Sequence, residues 1–226
     1  MAVVIPALNE ERPLGQVLAE LPRSAVHEIV VVDNGSSDRT AEVARAAGAT
    51  VVREPRRGYG AACLAGLAHL RSRPPEVVAF LDADGSDDPA QLAEVLAPIL
   101  EGRADLVIGS RVRGGHEPGS LTAVQMAGNR LAVALLGLLF GAHYTDLGPF
   151  RAIRWGALER LAMRDPDYGW TVEMQARAAR AGLRSVEVPV RYRRRLGRSK
   201  ISGTLRGVLG AGWKILFTIA RVRLGG

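Results

Sequence analysis

Two aspartates separated by a single residue stand directly after an apolar run in the sequence. The run covers residues 77 to 81, and Asp82-Ala83-Asp84 follows it. Carboxylate oxygens are the ligands that hard cations such as Mg²⁺ and Mn²⁺ prefer in proteins. Such an ion between Asp82 and Asp84 would let a diphosphate bind where bare carboxylates would repel it. We therefore predict a Mg²⁺ or Mn²⁺ site at these two residues, and we interpret Asp87 and Asp88 as local turn and cap residues.

Other ligand types are scarce in this chain. Cys63 is the single cysteine and the four histidines are scattered, so no spacing fits a zinc site or an internal disulfide. The sequence contains no Gly-x4-Gly-Lys-Ser/Thr loop, which argues against an ATPase of that type. Gly58-x-Gly60 follows the third predicted strand, and Cys63 replaces the last glycine of a dinucleotide fingerprint. An oxidoreductase with such a fingerprint is therefore also a poor fit.

The elements that must position Asp82 and Asp84 alternate between strands and helices. Short β-branched runs are separated by amphipathic segments, which indicates repeated βαβ units and an α/β fold. The predicted strands cover Val3 to Ile5, Ile29 to Val32, Thr50 to Val52, Val77 to Leu81 and Leu106 to Ile108. Because the runs are continuously apolar, we expect a mostly parallel sheet with helices on both faces. Ligands of such sheets bind beyond the carboxyl ends of the strands.

The 226 residues, of which 47% are hydrophobic, suffice for one domain. The net charge of +7 is concentrated at the C-terminus, where ten basic residues and no acidic residue follow Glu187. Such a segment suits an anionic lipid surface or a phosphorylated ligand. Aromatic residues make up only 5% of the chain and do not interleave with these arginines, so we expect no nucleic-acid partner.

Three segments in the first half of the chain resemble motifs of family 2 glycosyltransferases. They are residues 4 to 10, residues 30 to 40 around Asp33, and residues 57 to 62 around Gly58. The resemblance implies a single domain of the GT-A type, a Rossmann-like fold, and a nucleotide-sugar donor, a UDP- or GDP-hexose. It implies donor contacts from Pro6, Ala7, Leu8, Glu10, Asp33, Gly58, Asp82, Ala83, Asp84, Arg194, Ser199 and Lys200.

Two further segments resemble dolichyl-phosphate and other polyprenyl-phosphate sugar synthases. Thr145 to Arg151 is similar to the part of those enzymes that contacts phosphate and acceptor, which makes Arg111 and Arg151 candidate phosphate ligands. Residues 194 to 200 are similar to their Arg-x-x-Gly-x-Ser-Lys element, a loop that closes over the donor phosphates. The resemblance therefore implies an inverting, metal-dependent transfer of a hexose to a polyprenyl phosphate.

Glu173 lies near the start of a predicted amphipathic helix that runs through Ala181. A carboxylate there could act as the general base that a hydroxyl acceptor requires, whereas a lipid phosphate is already anionic and requires none. One alternative is therefore a glycosyltransferase that acts on a soluble or saccharide hydroxyl, with Glu173 as its base. A nucleotidyltransferase and a non-catalytic basic membrane adaptor are more distant alternatives.

The last residues of the chain combine large apolar side chains with arginine and lysine. We expect residues 1–203 to form the catalytic domain and residues 204–226 to form a basic amphipathic helix at a membrane surface or a subunit contact. The sequence shows no secretory leader and no run of about 18 uncharged apolar residues. We therefore expect a cytoplasmic protein at the inner face of the membrane, with a homo-oligomer as a further possibility.

Overall fold

The computed structural model describes residues 1–196 and 205–225, and these residues form one seven-stranded sheet with helices around it. The strands are β1 (Ala2–Ala7), β2 (Glu28–Asp33), β3 (Thr50–Arg53), β4 (Val77–Phe80), β5 (Leu106–Ser110), β6 (Arg151–Arg154) and β7 (Ser185–Pro189). The helices are α1 (Leu14–Glu20), α2 (Thr40–Ala46), α3 (Tyr59–Leu70), α4 (Leu92–Leu100), α5 (Arg111–Gly114), α6 (Ala123–Phe140), α7 (Trp155–Leu161), α8 (Trp170–Arg180) and α9 (Leu205–Arg223), with a 3₁₀ turn at Pro89–Gln91.

The strand order is β3-β2-β1-β4-β6-β5-β7. All neighbouring strands pair in parallel except β6, which runs antiparallel between β4 and β5. The predicted α/β fold with a mostly parallel sheet is confirmed. The prediction did not include β6 and β7, because β6 begins and ends with an arginine and therefore lacks the apolar run that marks the other central strands.

Apolar side chains on the two faces of the sheet form two separate cores. On one face they pack against α1, α2 and α4, and on the other against α3, α7 and α8. This arrangement explains the continuous apolar runs of the central strands, since successive side chains point to opposite faces and both faces are covered.

A third apolar cluster joins α6, α8 and α9 beside the sheet. Its buried members include Leu136 of α6, Val172 of α8 and Ile219 of α9. By length and composition α6 could cross a membrane, although only 11% of it is buried in the protein. The sequence does not predict this span from an uncharged run, because Arg130 lies within α6 and interrupts the run.

The outer side of α6 and α9 exposes large apolar side chains. Leu138 is 80% exposed and Trp213 is 73% exposed. Val124, Leu131, Leu216 and Phe217 are also exposed, and together with Leu138 and Trp213 they make up what we call the α6–α9 face. The two helices carry arginine and lysine but no acidic residue. The face is therefore apolar, with basic residues and no negative side chain on its two helices.

Candidate active site

The ends of three strands meet at one edge of the sheet. Ala7 of β1 pairs with Asp33 of β2, and β4 lies on the other side of β1 and leads directly to Asp82. The structure therefore brings the residues after these strands together, as the sequence pattern predicts.

The loop after β1 is fastened to the loop after β2 by hydrogen bonds between polar side chains and backbone amides. The N–H of Asn9 donates to Ser36 Oγ at 3.0 Å, and the N–H of Ser37 donates to Asn9 Oδ1 at 2.8 Å. The N–H of Glu10 donates to Thr40 Oγ1 at 2.8 Å. These bonds join the two loops, and Pro6, Ala7 and Leu8 lead into the same edge of the sheet.

Asp33 and Asn34 have different tasks at the end of β2. Asp33 Oδ1 accepts the N–H of Ser36 at 2.9 Å, which orients the carboxylate. The Asn34 side chain donates to the carbonyls of Glu54 and Arg56 at 3.0 and 2.7 Å, and its Oδ1 accepts the N–H of Gly58 at 2.9 Å. Asn34 therefore fixes the loop before α3, which leaves Asp33 as the residue suited to a ligand.

Gly58 and Gly60 serve a close contact within the protein. Gly58 has a φ of 141°, and a β-carbon there would lie 2.2 Å from the carbonyl oxygen of Pro166. A β-carbon at Gly60 would lie 2.0 Å from the carbonyl oxygen of Asp165. The sequence predicts that Gly58 lets a ligand approach the backbone closely. In the structure, the group that lies close to the Gly58 α-carbon is the backbone of Pro166.

Three carboxylates gather in the turn after β4: Asp82, Asp84 and Asp87, which we call the carboxylate cluster. Asp84 Oδ1 accepts the N–H of Ser86 at 2.9 Å and its hydroxyl at 2.5 Å. Asp87 Oδ2 accepts the N–H of Asp82 at 3.0 Å. The interpretation of Asp87 as a local turn residue is therefore incomplete, because its carboxylate lies beside the two predicted metal ligands. Asp88, in contrast, caps the 3₁₀ turn through the N–H of Ala90, as predicted.

The electrostatics of the carboxylate cluster disfavour three negative charges in the absence of a cation. Burial, and secondarily the charge of Asp84, raise the pKa of Asp82 to about 7. Burial, followed by the charge of Asp82, raises the pKa of Asp87 well above its usual range. Burial and the charge of Asp82 also raise the pKa of Tyr59, at the start of α3, so this phenol stays protonated. A cation at the cluster would offset this repulsion.

The residues present suit a divalent ion. Asp82 Oδ1 and Asp87 Oδ1 are buried, and neither has a hydrogen-bond partner. Two such oxygens beside a third carboxylate are the hard donor set that Mg²⁺ or Mn²⁺ takes. Among residues 1–196 and 205–225, no three histidine, cysteine, aspartate or glutamate side chains are arranged so that they alone could coordinate one metal ion. Asp84 is instead turned toward Ser86 and Arg195, and an ion would therefore complete its shell with other oxygens.

Arg195 forms an ion pair with Asp84 Oδ2 through Nη2. The sequence predicts that Arg194 contacts the donor. In the structure, Arg194 Nε donates to the carbonyl of Pro118 at 2.6 Å, and its N–H donates to Glu117. The structure therefore places Arg195, and not Arg194, at the carboxylate cluster. Adjacent side chains of an extended segment point in opposite directions, and this one-residue difference cannot be read from the arginine run itself. Ser199 and Lys200 lie outside the described residues.

Arg111 lies at the start of α5. Its Nε and Nη2 donate to the two carboxylate oxygens of Asp146 at 2.8 and 2.7 Å. The guanidinium carbon lies 5.0 Å from the ring centroid of Tyr192, and Tyr192 forms a backbone bridge with Asp87. Arg111 is therefore near the carboxylate cluster, with Nη1 as the nitrogen that Asp146 does not engage.

The loop that presents Asp146 is joined to both β7 and α6. Glu187 of β7 accepts the N–H of Thr145 at 2.8 Å and the N–H of Asp146 at 3.0 Å. Asn129 of α6 donates to the carbonyl of Thr145 at 2.9 Å and accepts the N–H of Leu147 at 2.9 Å. Asn129 thus connects the helix that bears the α6–α9 face to the loop that holds Arg111.

Arg151 is not positioned as a phosphate ligand. Its side chain is fully buried at the start of β6, and Nε, Nη1 and Nη2 donate to the carbonyls of Gly148, Thr171 and Leu147 at 3.1, 2.9 and 3.1 Å. Burial lowers its pKa. All three nitrogens of the guanidinium are engaged with the backbone, so the prediction of a phosphate contact is wrong in this structure.

Glu173 is also fully buried, and both of its carboxylate oxygens are engaged. Oε2 accepts the N–H of Arg164 and Asp165 at 3.0 and 2.7 Å. Oε1 accepts from Arg177 and from Arg221, each at 3.0 Å. Glu173 therefore links the loop that precedes α8 to helix α9. This environment does not support the general-base role, because the lone pairs that would take a proton already accept four donors.

Comparison with known proteins is consistent with this site. A model of the family described as Glycosyl transferase family 2 matches residues 2–161. An uncharacterized glycosyltransferase of Mycobacterium tuberculosis is 42% identical over 222 residues, which cover 96% of this chain and 97% of that protein. An undecaprenyl-phosphate mannosyltransferase of Micrococcus luteus is 38% identical over 217 residues, covering 90% and 88%.

Several similar solved structures contain ligands. Glucosyl-3-phosphoglycerate synthase from Mycobacterium tuberculosis, crystallised with Mn²⁺, UDP-glucose and phosphoglyceric acid, superimposes with a TM-score of 0.79 and 25% sequence identity. The superposition covers 98% of this chain and 79% of the synthase. The arrangement of strands around the carboxylate cluster is therefore shared with a protein that binds a divalent ion and a nucleotide sugar.

Proposed function

Because the chain belongs to glycosyltransferase family 2, we propose that it transfers a hexose from a nucleoside-diphosphate sugar to a polyprenyl phosphate with inversion. In this reaction an acceptor phosphate oxygen attacks the anomeric carbon on the side opposite the diphosphate. The bond from that carbon to the diphosphate breaks as the new one forms.

The donor assignment relies on the carboxylate cluster and the loops beside it. Asp33 would accept hydrogen bonds from a ribose or base, and Asp82, Asp84 and Asp87 would hold Mg²⁺ or Mn²⁺. When bound, the ion neutralises the diphosphate and stabilises it as a leaving group. The synthase that shares the fold was crystallised with Mn²⁺ and UDP-glucose, which supports this donor class.

The acceptor assignment is supported by the environment of Glu173. A hydroxyl acceptor must lose a proton, whereas a phosphate oxygen already carries negative charge at neutral pH and needs no base. Glu173 is buried and bound by Arg177, Arg221 and two backbone amides. An acceptor that requires no general base is compatible with this arrangement, and the mannosyltransferase of Micrococcus luteus carries such an acceptor in its name.

The observation that carries the lipid assignment is the α6–α9 face and its link to Arg111. Leu138 and Trp213 are exposed on helices without acidic residues, and exposed Arg130 and Arg223 add positive charge. Apolar side chains with basic neighbours favour an anionic bilayer surface. Through Asn129 the same helix contacts the loop at Asp146, so a lipid phosphate at the bilayer surface would be near the acceptor side.

We infer that the protein binds peripherally to the inner face of the membrane through this face. The negative surface potential of the cytoplasmic leaflet attracts basic segments, at about 1 kcal/mol for each arginine or lysine near the surface. Residues 204–226 would then serve as the interfacial segment, with α9 packed on α6 and α8 on its inner side. A contact between two copies of the chain through the same face is the competing use of these side chains.

A transferase for a soluble phosphorylated acceptor is the second candidate. It is favoured by one observation, the phosphoglyceric acid in the structure of the synthase with the same fold. That acceptor reacts through a hydroxyl and would need a base, for which the chain would have to use a residue other than Glu173 in its present environment. The two candidates share the donor site and differ only in what receives the sugar.

An acceptor panel separates the two candidates. The purified chain is incubated with radiolabelled UDP- or GDP-hexoses and Mn²⁺, together with either polyprenyl phosphate in mixed micelles or 3-phosphoglycerate. We expect label in the organic phase with polyprenyl phosphate alone, and loss of that label in Asp84→Asn. Transfer to 3-phosphoglycerate with none to the lipid would refute the proposed acceptor and leave the donor assignment intact.

A further inference from the structure

The segment from Tyr192 to Leu196 runs antiparallel over the turn that holds the carboxylate cluster. The N–H of Arg193 donates to the carbonyl of Ser86 at 2.8 Å, and the N–H of Leu196 donates to the carbonyl of Asp84 at 2.9 Å. Asp87 and Tyr192 form an antiparallel bridge. Leu196 rests against Gly85, where Cδ1 lies 3.3 Å from the position of an added β-carbon. The backbone of this segment is therefore fixed to the turn.

Three consecutive arginines of this segment have different partners. Arg193 pairs with Glu20 and with Asp88, each at 2.7 Å. Arg194 turns away to the loop at Glu117 and Pro118. Arg195 pairs with Asp84, and its side chain is 31% exposed, so solvent reaches it. The ion pairs of Arg193 hold the segment in place, whereas Arg195 is directed at the cluster.

The guanidinium of Arg195 takes the side of Asp84 that a divalent ion would use. Asp84 Oδ1 is engaged by the N–H and hydroxyl of Ser86, which leaves Oδ2 as the oxygen for a cation, and Arg195 binds that oxygen. Arg111 also lies near the cluster but is committed to Asp146. Arg195 and a metal ion therefore compete for one carboxylate oxygen.

We propose that Arg195 is a tethered counter-ion, which neutralises Asp84 before the donor binds and exchanges its partner for the diphosphate when the metal–nucleotide complex arrives. Because the backbone on either side is hydrogen-bonded to the turn, the exchange needs only a rotation of the side chain. The displaced guanidinium then faces the anion that comes with the ion, and guanidinium groups bind phosphate oxygens well. This proposal rests on the nucleoside-diphosphate donor proposed above.

The proposal has a thermodynamic consequence. A free divalent ion must break the Arg195–Asp84 pair without compensation, whereas an ion bound to a nucleoside diphosphate offers Arg195 a new partner. The residue therefore weakens binding of the metal alone and strengthens binding of the nucleotide once the metal is present. Coupling of this kind makes metal and nucleotide bind together rather than separately.

The test measures Mn²⁺ binding without nucleotide, by electron paramagnetic resonance of the free ion. We expect Arg195→Gln to bind Mn²⁺ about tenfold more tightly than the unmodified chain, since loss of a charge-assisted bond frees Asp84. Arg195→Lys keeps the charge and should fall between the two. Arg194→Gln removes the same charge one residue away and should leave the Mn²⁺ affinity unchanged.

A second arm measures UDP and GDP binding at saturating Mn²⁺ by calorimetry. For the nucleotide that the unmodified chain prefers, we expect about tenfold weaker binding in Arg195→Gln, because the diphosphate loses a guanidinium partner. Equal or weaker Mn²⁺ binding in Arg195→Gln would overturn the proposal. If the unmodified chain binds Mn²⁺ but neither nucleotide, the proposed donor fails, while the Mn²⁺ arm still decides whether Arg195 competes with the ion.

Discussion

Asp87 accepts the N–H of Asp82 through Oδ2 at 3.0 Å and holds its other oxygen, Oδ1, buried and without a hydrogen-bond partner. Asp82 Oδ1 is also buried and has no hydrogen-bond partner. The two residues therefore keep two buried acceptor oxygens without a hydrogen-bond partner in the turn after β4. Leaving such atoms unpaired costs free energy, and the cost is recovered when a cation binds them.

The raised pKa of Asp82 makes stability depend on pH in a defined direction. The pKa of Asp82 is about 7 in the folded chain and about 3.9 in an unfolded one, so the folded state binds more protons between these values. Without metal, stability therefore falls as pH rises from about 4 to 7. Asp82→Asn should be more stable than the unmodified chain by roughly 2 kcal/mol at pH 8, with little difference at pH 4.

Urea unfolding at the two pH values, in the presence of a chelator, measures this difference. Addition of Mn²⁺ at pH 8 should stabilise the unmodified chain and leave Asp82→Asn nearly unaffected. A variant that is less stable at pH 8 than at pH 4, relative to the unmodified chain, would contradict the electrostatic account of the cluster.

Glu173→Gln separates a structural role from a general-base role. The amide retains the shape of the carboxylate but loses the charge that pairs with Arg177 and Arg221, so we expect a loss of about 2 kcal/mol of stability. Transfer to polyprenyl phosphate, measured well below the melting temperature, should stay within about threefold of the original rate. Loss of turnover by more than about a hundredfold in a folded variant would restore the base role and the hydroxyl acceptor.

The α6–α9 face can be tested apart from catalysis. Leu138→Glu places a negative charge on this face, and we expect its partition onto vesicles with anionic lipid to fall by about tenfold or more. Leu100→Glu is the matched control, because Leu100 is 67% exposed on α4 and lies outside this face. Flotation with vesicles of neutral and anionic composition measures both variants. Equal losses in the two variants would show that only net charge matters.

We expect substitution by alanine to lower the stability of the chain at Gly60, which is closely packed, and to raise it at Gly128, which has free space around it. Gly60→Ala would bring a β-carbon to 2.0 Å from a backbone oxygen, and we expect a loss of about 3 kcal/mol. Gly128, inside α6, has nothing within 4 Å, and Gly128→Ala should stabilise the chain by about 0.5–1 kcal/mol. Thermal unfolding of the pair checks the contact, and a neutral Gly60→Ala would refute it.

The sequence predicted the elements that carry strong local signals. The five apolar strands and the cap at Asp88 follow from hydrophobic runs and side-chain chemistry that depend on neighbouring residues alone. Strand β6 was not predicted because Arg151 and Arg154 are its first and last residues, and their positions depend on partners from distant segments. Arg151 needs the carbonyl of Thr171, twenty residues away, to be accommodated.

The residues of the candidate site could also be predicted from the sequence only in part. Asp82 and Asp84 were recognisable because they follow an apolar strand, and the strand ends meet as such sheets require. The contribution of Asp87 and of Arg195 could not be read from the sequence. Asp87 belongs to a run of polar turn residues, and the choice between Arg194 and Arg195 depends on how residues 192–196 cross the turn. The environment of Glu173 likewise requires α9, which is distant in sequence.

Calorimetric titration of UDP and GDP, with Mn²⁺ and with a chelator, tests the carboxylate cluster most directly. We predict binding of one nucleotide by the unmodified chain with Mn²⁺, little or none with the chelator, and loss of the Mn²⁺ effect in Asp82→Asn, whose Oδ1 is one of the two unpaired oxygens. Equal affinity with Mn²⁺ and chelator, or an undiminished Mn²⁺ effect in Asp82→Asn, would contradict the account.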